Sequence, residues 1–441
     1  MGANSRAAQR FLPAGNVVVS FLKSALVRLL GVAALGGLAA QAVSAAWQPA
    51  GVDLTRPRIL LRAADLSVIR ARLDREPYRG LLAEVVRRSR DADGVALDDH
   101  AIAAERLKAR AAKSLAFLYA VDRTVADGAA VPFATAEART AVGRRAHDLL
   151  RAMYTRSRLA VAPPLGGWDR DISTSEELLQ YATAYDTLLG AGYDLGADEA
   201  LIAGRIADLA AELYDNYVHP ETAQNAALLH QNNHRAKSGA ALVIAALAIA
   251  EYAPLPGDDP RAVREPAEWL EYGLDQADMI MRHGLVAGDG AYAEGPFYFR
   301  YTSQNLLPFW RAWDRLVDGA PWMARGVEVP SLWRHPLLAR GLRWALDMTL
   351  PDGSLAPVDD GNPGRCYYFG AAPNADAAAA AWRWANCPAP YDTDGNVSLA
   401  ADALVAFDDA IAPAPPSGST PSLIFASRMT SKFSTLARSA T

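Results

Sequence analysis

Cysteine is nearly missing, with Cys366 and Cys387 the two in 441 residues. Two thiols form one bridge or none, so no disulfide framework holds the chain, and without a paired CxxC spacing they do not read as a zinc site. A basic surplus is missing as well: Lys+Arg total 44 against Asp+Glu 49, a net charge of -5. Binding a nucleic-acid backbone by neutralising its phosphates is therefore not expected. Period-two runs of Val, Ile, Thr and aromatics are scarce, which argues against a sheet-rich fold. There is no HExxH, no GxSxG, no Walker loop and no GxGxxG in a strand-to-helix setting, so the corresponding metalloprotease, hydrolase and nucleotide-binding classes have no visible motif. His100, His147, His219, His283 and His335 stand apart from other ligand types, and neither a metal nor a cofactor is expected.

What is present is ordinary globular composition, 51% hydrophobic and 21% charged, which excludes disorder of the whole chain. Arg6, Arg10, Lys23 and Arg28 precede an uncharged stretch from Leu29 to Ala42, followed by the small residues Val43, Ser44 and Ala45. That order predicts a secretory signal over residues 1–46. The apolar run is shorter than the roughly 20 residues a membrane-crossing helix needs, so no stable membrane insertion is expected and the working part is placed in the periplasm or outside the cell.

From Pro57 to about Ala385 apolar residues recur at three-to-four spacing. The spacing predicts helices over Ala101–Val121, Ser175–Leu189, Ala197–Tyr217, Ala236–Tyr252, Pro266–His283 and Leu332–Leu350. Breakers such as Gly190–Gly196, Pro254–Pro260 and Pro351–Gly353 separate many of them, so antiparallel helical hairpins are the expected all-α architecture. No period of 20 to 50 residues repeats at the level of identity. After Ala410 the run Ala412–Pro416 reads as a linker, and residues 411–441 as linker and short tail with one apolar patch at Leu423–Ala426.

Three clusters carry chemistry-bearing side chains. His230-Gln231-Asn232-Asn233-His234-Arg235 stands directly before the apolar run Ala240–Ala250. One Asn there is explained as a helix N-cap, but an amide and an imidazole beside a helix N-terminus also suit an anion such as a carboxylate. The second cluster runs from Asp289 to Tyr301, with a turn at Asp289-Gly290 and a helix start at Pro296. Tyr298 and Tyr301 follow on one face, with Glu294 and Arg300 beside them. An aromatic pair at that spacing commonly belongs to a core, but a phenol beside a cation is shifted toward general-base range. The third cluster, Leu350 to Asn362, is ordinary turn chemistry, with Asp360 or Asn362 at most at a pocket edge.

The order Ile172-Ser173-Thr174-Ser175-Glu176, Tyr185-Asp186, Asn232-Asn233-His234, Asp289-Gly290 with Glu294-Gly295-Pro296 and Tyr298, then Leu350-Pro351-Asp352-Gly353, resembles the heparinase II/III-like and alginate lyase superfamily of polysaccharide lyases, from about Trp47 to Asn362. The resemblance implies an (α/α) toroid over 47–410, a β-sandwich after it, and β-elimination on an acidic polysaccharide. On that pattern Asn233 and His234 neutralise the uronate carboxylate, and Tyr298, with Tyr301 as second choice, takes the C5 proton and protonates O4. Asn232, Arg235, Glu294, Arg300, Trp168 and Arg170 are expected as substrate contacts. The chain stops where the sandwich would begin, so a missing or truncated second domain is expected. Two alternatives stay open, a non-catalytic carbohydrate-binding remnant and a glycoside hydrolase on the same toroid. The hydrolase would need two acids across a cleft, drawn from Asp169, Asp171, Glu176, Glu177 and Glu294.

Overall fold

The computed structural model describes residues 51–76, 78–154, 168–214, 233–251, 266–285, 288–350, 355–356, 400–406 and 414. Asn232, Asp360, Asn362, both cysteines, the expected signal and the tail lie outside them, as do the side chains of Trp168 and Arg170.

Eleven helices carry the described residues: α1 (Asp65–Arg72), α2 (Tyr78–Arg88), α3 (Ile102–Val121), α4 (Ala136–Arg151), α5 (Trp168–Gly190), α6 (Asp198–Leu213), α7 (Asn233–Ala248), α8 (Pro266–Met279), α9 (Gly295–Val317), α10 (Pro336–Asp347) and α11 (Ala400–Ala406). A π-helical turn, Ile280–Gly284, continues α8. The fold is all-α, as expected, and two small hairpins are added to it. β1 (Thr124–Ala126) pairs antiparallel with β2 (Ala129–Val131), and β3 (Trp322–Ala324) with β4 (Val327–Val329). Both hairpins follow a long helix that ends in an aspartate of left-handed backbone, Asp122 after α3 and Asp318 after α9. Both turn on two positive-φ residues, Asp127-Gly128 and Arg325-Gly326, as the tight hairpin turn requires.

Packing follows an alternating rule. α3 packs on α5, α5 on α7 and α7 on α9, while α4, α6, α8 and α10 each pack against the helix that precedes them. Side-chain contacts fix the directions. Gly239 meets Gly273 while Arg235 meets Gln276, so α7 and α8 run antiparallel. Asp171 meets His234 while Glu176 meets Lys237, so α5 and α7 run parallel. Glu294 meets Asn233 while Tyr301 meets Lys237, so α9 is parallel to α7. At the other ends Tyr119, close to the end of α3, stands 5.4 Å edge-on to Tyr193, just past α5. Four parallel helices, α3, α5, α7 and α9, thus share one N-terminal end, with their partners returning beside them.

α7 sits at the centre of this row. Its residues Ala240 to Ala248 are all buried, as a helix apolar on every side must be. It approaches α8 closely because Gly239 and Gly273 face each other; a Cβ on Gly273 would lie 2.3 Å from the Gly239 carbonyl oxygen.

The C-terminal ends of the four helices are covered by one segment, residues 56–70. Arg56 donates to the Ala248 carbonyl at 2.7 Å, and Arg70 to the Val121 and Ala120 carbonyls at 2.8 and 2.9 Å. Asp186 accepts the main-chain N–H groups of Arg58 and Ile59 at 2.8 and 2.9 Å, and Arg315 donates to the Ile59 carbonyl at 2.8 Å. Guanidinium groups here take up carbonyls that a helix end leaves unpaired, and their charge complements the negative end of the helix dipole. With one end of the row closed, the opposite end, where the N-termini gather, is where polar side chains remain.

Candidate active site

Asn233 and His234 form the first turn of α7. The helix starts three residues earlier than the apolar periodicity predicts, so the Asn-His pair stands on the helix itself. The Glu294 carboxylate, at the N-cap of α9, accepts the main-chain N–H of Asn233 at 2.6 Å and its Nδ2 at 3.1 Å. Tyr292 donates its hydroxyl to the same carboxylate at 3.1 Å. Asn233 is only 2% exposed, and its Oδ1 has no hydrogen-bond partner among the described residues. Burial raises the Glu294 pKa above the usual carboxylate range, although the bonds from Asn233 and Tyr292 and the nearby His234 pull the other way.

His234 Nδ1 lies 2.8 and 3.0 Å from the two oxygens of Asp171, in the first turn of α5. A carboxylate on Nδ1 fixes the tautomer, so the neutral ring carries its lone pair on Nε2. Asp171 was legible only as one of several undistinguished acids; its role depends on the register of two helices far apart in sequence.

One turn deeper lies a second group, in which Glu176 and Tyr301 are residues the sequence names and Lys237, Arg106 and Arg110 are not. Glu176 on α5 meets Lys237 Nζ at 3.1 Å and Arg110 at 4.0 Å, and forms a short ion pair with Arg106, the last two on α3. Burial by itself would raise Glu176, yet Lys237, Arg106 and Arg110 together hold it below the usual carboxylate range. Burial also brings Lys237 down to about 8 against the pull of Glu176. Lys237 Nζ stands 3.8 Å over the Tyr301 ring and donates to the Tyr301 carbonyl at 3.1 Å. The Tyr301 hydroxyl bonds to Glu176 and Arg106, and its pKa is pushed up by burial and by Glu176, with Arg106 opposing. The downward shift expected of a phenol beside a cation is absent at Tyr301 because the buried carboxylate and desolvation outweigh the guanidinium.

The two tyrosines share one face of α9, as their spacing predicts, and both are partly buried. Phe297 meets Tyr298 edge-on at 5.2 Å and Tyr301 in a stack at 6.2 Å. Because α7 and α9 are parallel, counting three residues back from the Lys237–Tyr301 contact on both helices leads to His234 and Tyr298. Arg235 is turned aside: it is buried and reaches Gln276 of α8 at 3.4 Å. Arg300 is buried too, its guanidinium 4.9 Å from the Phe297 ring.

The structure thus brings Asn233, His234 and Glu294 together with Asp171, and places Tyr301 one turn deeper with Glu176, Lys237, Arg106 and Arg110; the register of α7 and α9 puts Tyr298 level with His234. A cavity of about 460 Å³ shares no residue with this group; its lining mixes Asp98 and Asp148 with Arg151 and Arg205 and favours no single ligand charge. Among the described residues no three His, Cys, Asp or Glu side chains gather as metal ligands, and no helix is long and apolar enough to cross a membrane. No family model matches the chain, and no curated protein matches it.

Proposed function

We propose that this chain is an exported polysaccharide lyase on an (α/α) toroid, cleaving a uronic-acid polysaccharide by β-elimination. One observation carries the reading: an amide and an imidazole of fixed tautomer, each held by a carboxylate, stand at the shared N-terminal end of four parallel helices, and helix register puts Tyr298 level with the imidazole. Helix dipoles favour an anion there, and Arg106, Arg110 and Lys237 bring positive charge to the same end.

The C5 proton of a uronate is removable only if the neighbouring carboxylate is neutralised while an enolate forms. Asn233 and His234, its ring held through Nδ1 by Asp171, neutralise that carboxylate. Tyr298, ionised, takes the C5 proton; the C5–H electron pair becomes the C4=C5 double bond as the C4–O4 bond breaks, and the phenol returns a proton to O4. One tyrosine serves both steps when H5 and O4 lie on the same face of the sugar. Tyr301, tied to Glu176 and Arg106, supports the helix face from which Tyr298 acts. A hydrolase is less well supported, because Asp171 is engaged by His234, Glu176 by three cations and Glu294 by Asn233 and Tyr292.

The test is incubation with alginate, heparan sulfate, hyaluronan and pectate, followed by ultraviolet absorbance. A lyase produces the absorbance of an unsaturated uronate; a hydrolase produces new reducing ends without it. Absence of both on all four polymers overturns the reading.

A further inference from the structure

Glu294 and Asn233 fit each other in a way that has two solutions. As they stand, the Glu294 carboxylate is an acceptor only, taking three N–H or O–H donors: the Asn233 main chain, the Asn233 amide and Tyr292. The Asn233 amide therefore turns its NH2 toward Glu294 and leaves Oδ1 buried and unpartnered among the described residues. An acceptor lone pair is the wrong partner for a uronate carboxylate, which itself only accepts. A buried acceptor without a donor also leaves the amide incompletely satisfied in this state.

We propose that Glu294 is a positioning residue whose protonation decides which end of the Asn233 amide faces the substrate. With a proton on Glu294, its O–H donates to Asn233 Oδ1 while its other oxygen keeps the Asn233 main-chain N–H. The amide turns over about its Cβ–Cγ bond, exchanging Oδ1 and Nδ2, and the NH2 group comes to the place Oδ1 held, where it donates to the uronate carboxylate. With Glu294 ionised, the amide turns back and the two carboxylates repel. Burial of Glu294 favours the protonated form. Among the described residues the groups facing it are Asn233 and His234 from α7, Tyr292 from its own loop, Thr302 of α9 through the Tyr292 hydroxyl at 3.3 Å, and Asp171 of α5 through His234.

The role in substrate binding rests on the lyase reading above, whereas the amide switch itself does not. It is tested on the full chain labelled with nitrogen-15 asparagine, with the Asn233 side-chain signal assigned by its loss in Asn233→Ser. In the unaltered protein that signal moves with a single proton titration. In Glu294→Gln, whose Oε1 still accepts the main-chain N–H and whose Nε2 donates to Oδ1, the signal stays at the low-pH position throughout. Tyr292→Phe, which removes a donor from the ionised form, moves the titration to higher pH. A signal that does not titrate in the unaltered protein, or one that still titrates in Glu294→Gln, overturns the proposal. On the polymer that gives unsaturated product, kcat/KM of the unaltered protein falls about tenfold per pH unit above the titration, and this limb is missing from Glu294→Gln. Equal limbs in the two proteins likewise overturn it. If no polymer gives product, the lyase reading fails, and the amide signal alone still decides the switch.

Discussion

The carboxylate of Asp171 holds Nδ1 of His234 at 2.8 Å across two parallel helices whose sequences are more than 60 residues apart. The pair sets the imidazole tautomer, and on the lyase reading proposed above its contribution lies in catalysis more than in folding. Asp171→Asn keeps the shape and an acceptor but loses the charge. We expect kcat to fall by about 100-fold or more, with the unfolding midpoint nearly unchanged. Steady-state kinetics beside a urea titration check it; equal losses in both would make Asp171 structural.

The two tyrosines separate by depth. Tyr298 is level with His234, and its replacement by Phe is expected to lower kcat by about 10³-fold, within the range of a lost acid–base group. Tyr301 is tied to Glu176 and Arg106, so Tyr301→Phe removes a positioning bond and costs activity by a smaller factor. Product absorbance on the cleaved polymer measures both variants. A larger loss in Tyr301→Phe would reverse the roles.

Glu176 and Lys237 are paired at 3.1 Å, but their replacement is not symmetrical. Glu176→Gln leaves Arg106, Arg110 and Lys237 facing one another without their carboxylate, and a loss of about 3–5 kcal/mol is expected. Lys237→Met leaves Glu176 with its two arginines and costs clearly less. Because the folded pKa of Glu176 lies below its ordinary 4.5, its stabilisation is complete above about that pH and is lost as pH falls through the lower folded value. Urea midpoints followed down the acid limb should therefore fall for the unaltered protein and stay flatter for Glu176→Gln.

These assignments show what one dimension carries. Apolar periodicity marks α3, α6 and α8 closely, because burial of one stripe is written at three-to-four spacing in the residues themselves. It places α5 and α7 too short at their N-termini, since the first turns are polar side chains paired across helices. The same cause leaves Asp171 and Glu176 undistinguished among the acids the sequence offers. Arg235 illustrates the opposite error: it adjoins His234 in sequence, but one residue is about 100° of helix rotation, which carries it from the α5 side round to α8. Lys237, three residues past His234, returns to the His234 face, and that spacing was readable. The Asp127-Gly128 hairpin was also readable as a turn dipeptide, whereas Arg325-Gly326 carries a weaker signal, its first residue being no turn former.

Gly273 tests whether the site depends on the helix row behind it. An alanine in the middle of a helix ordinarily gains about 1 kcal/mol over glycine. At this position the added Cβ would stand 2.3 Å from the Gly239 carbonyl oxygen and 2.4 Å from Val243 Cγ2, both on α7. Helices packed to interior density cannot absorb that overlap without moving apart, so Gly273→Ala is expected to destabilise by about 2–3 kcal/mol. A shift of α7 also carries Asn233 and His234 away from Glu294 and Asp171. The variant should therefore lose kcat at temperatures where circular dichroism shows it still folded; full activity there would mean that the first turn of α7 is held by its own polar contacts, independent of the α7–α8 contact beneath it.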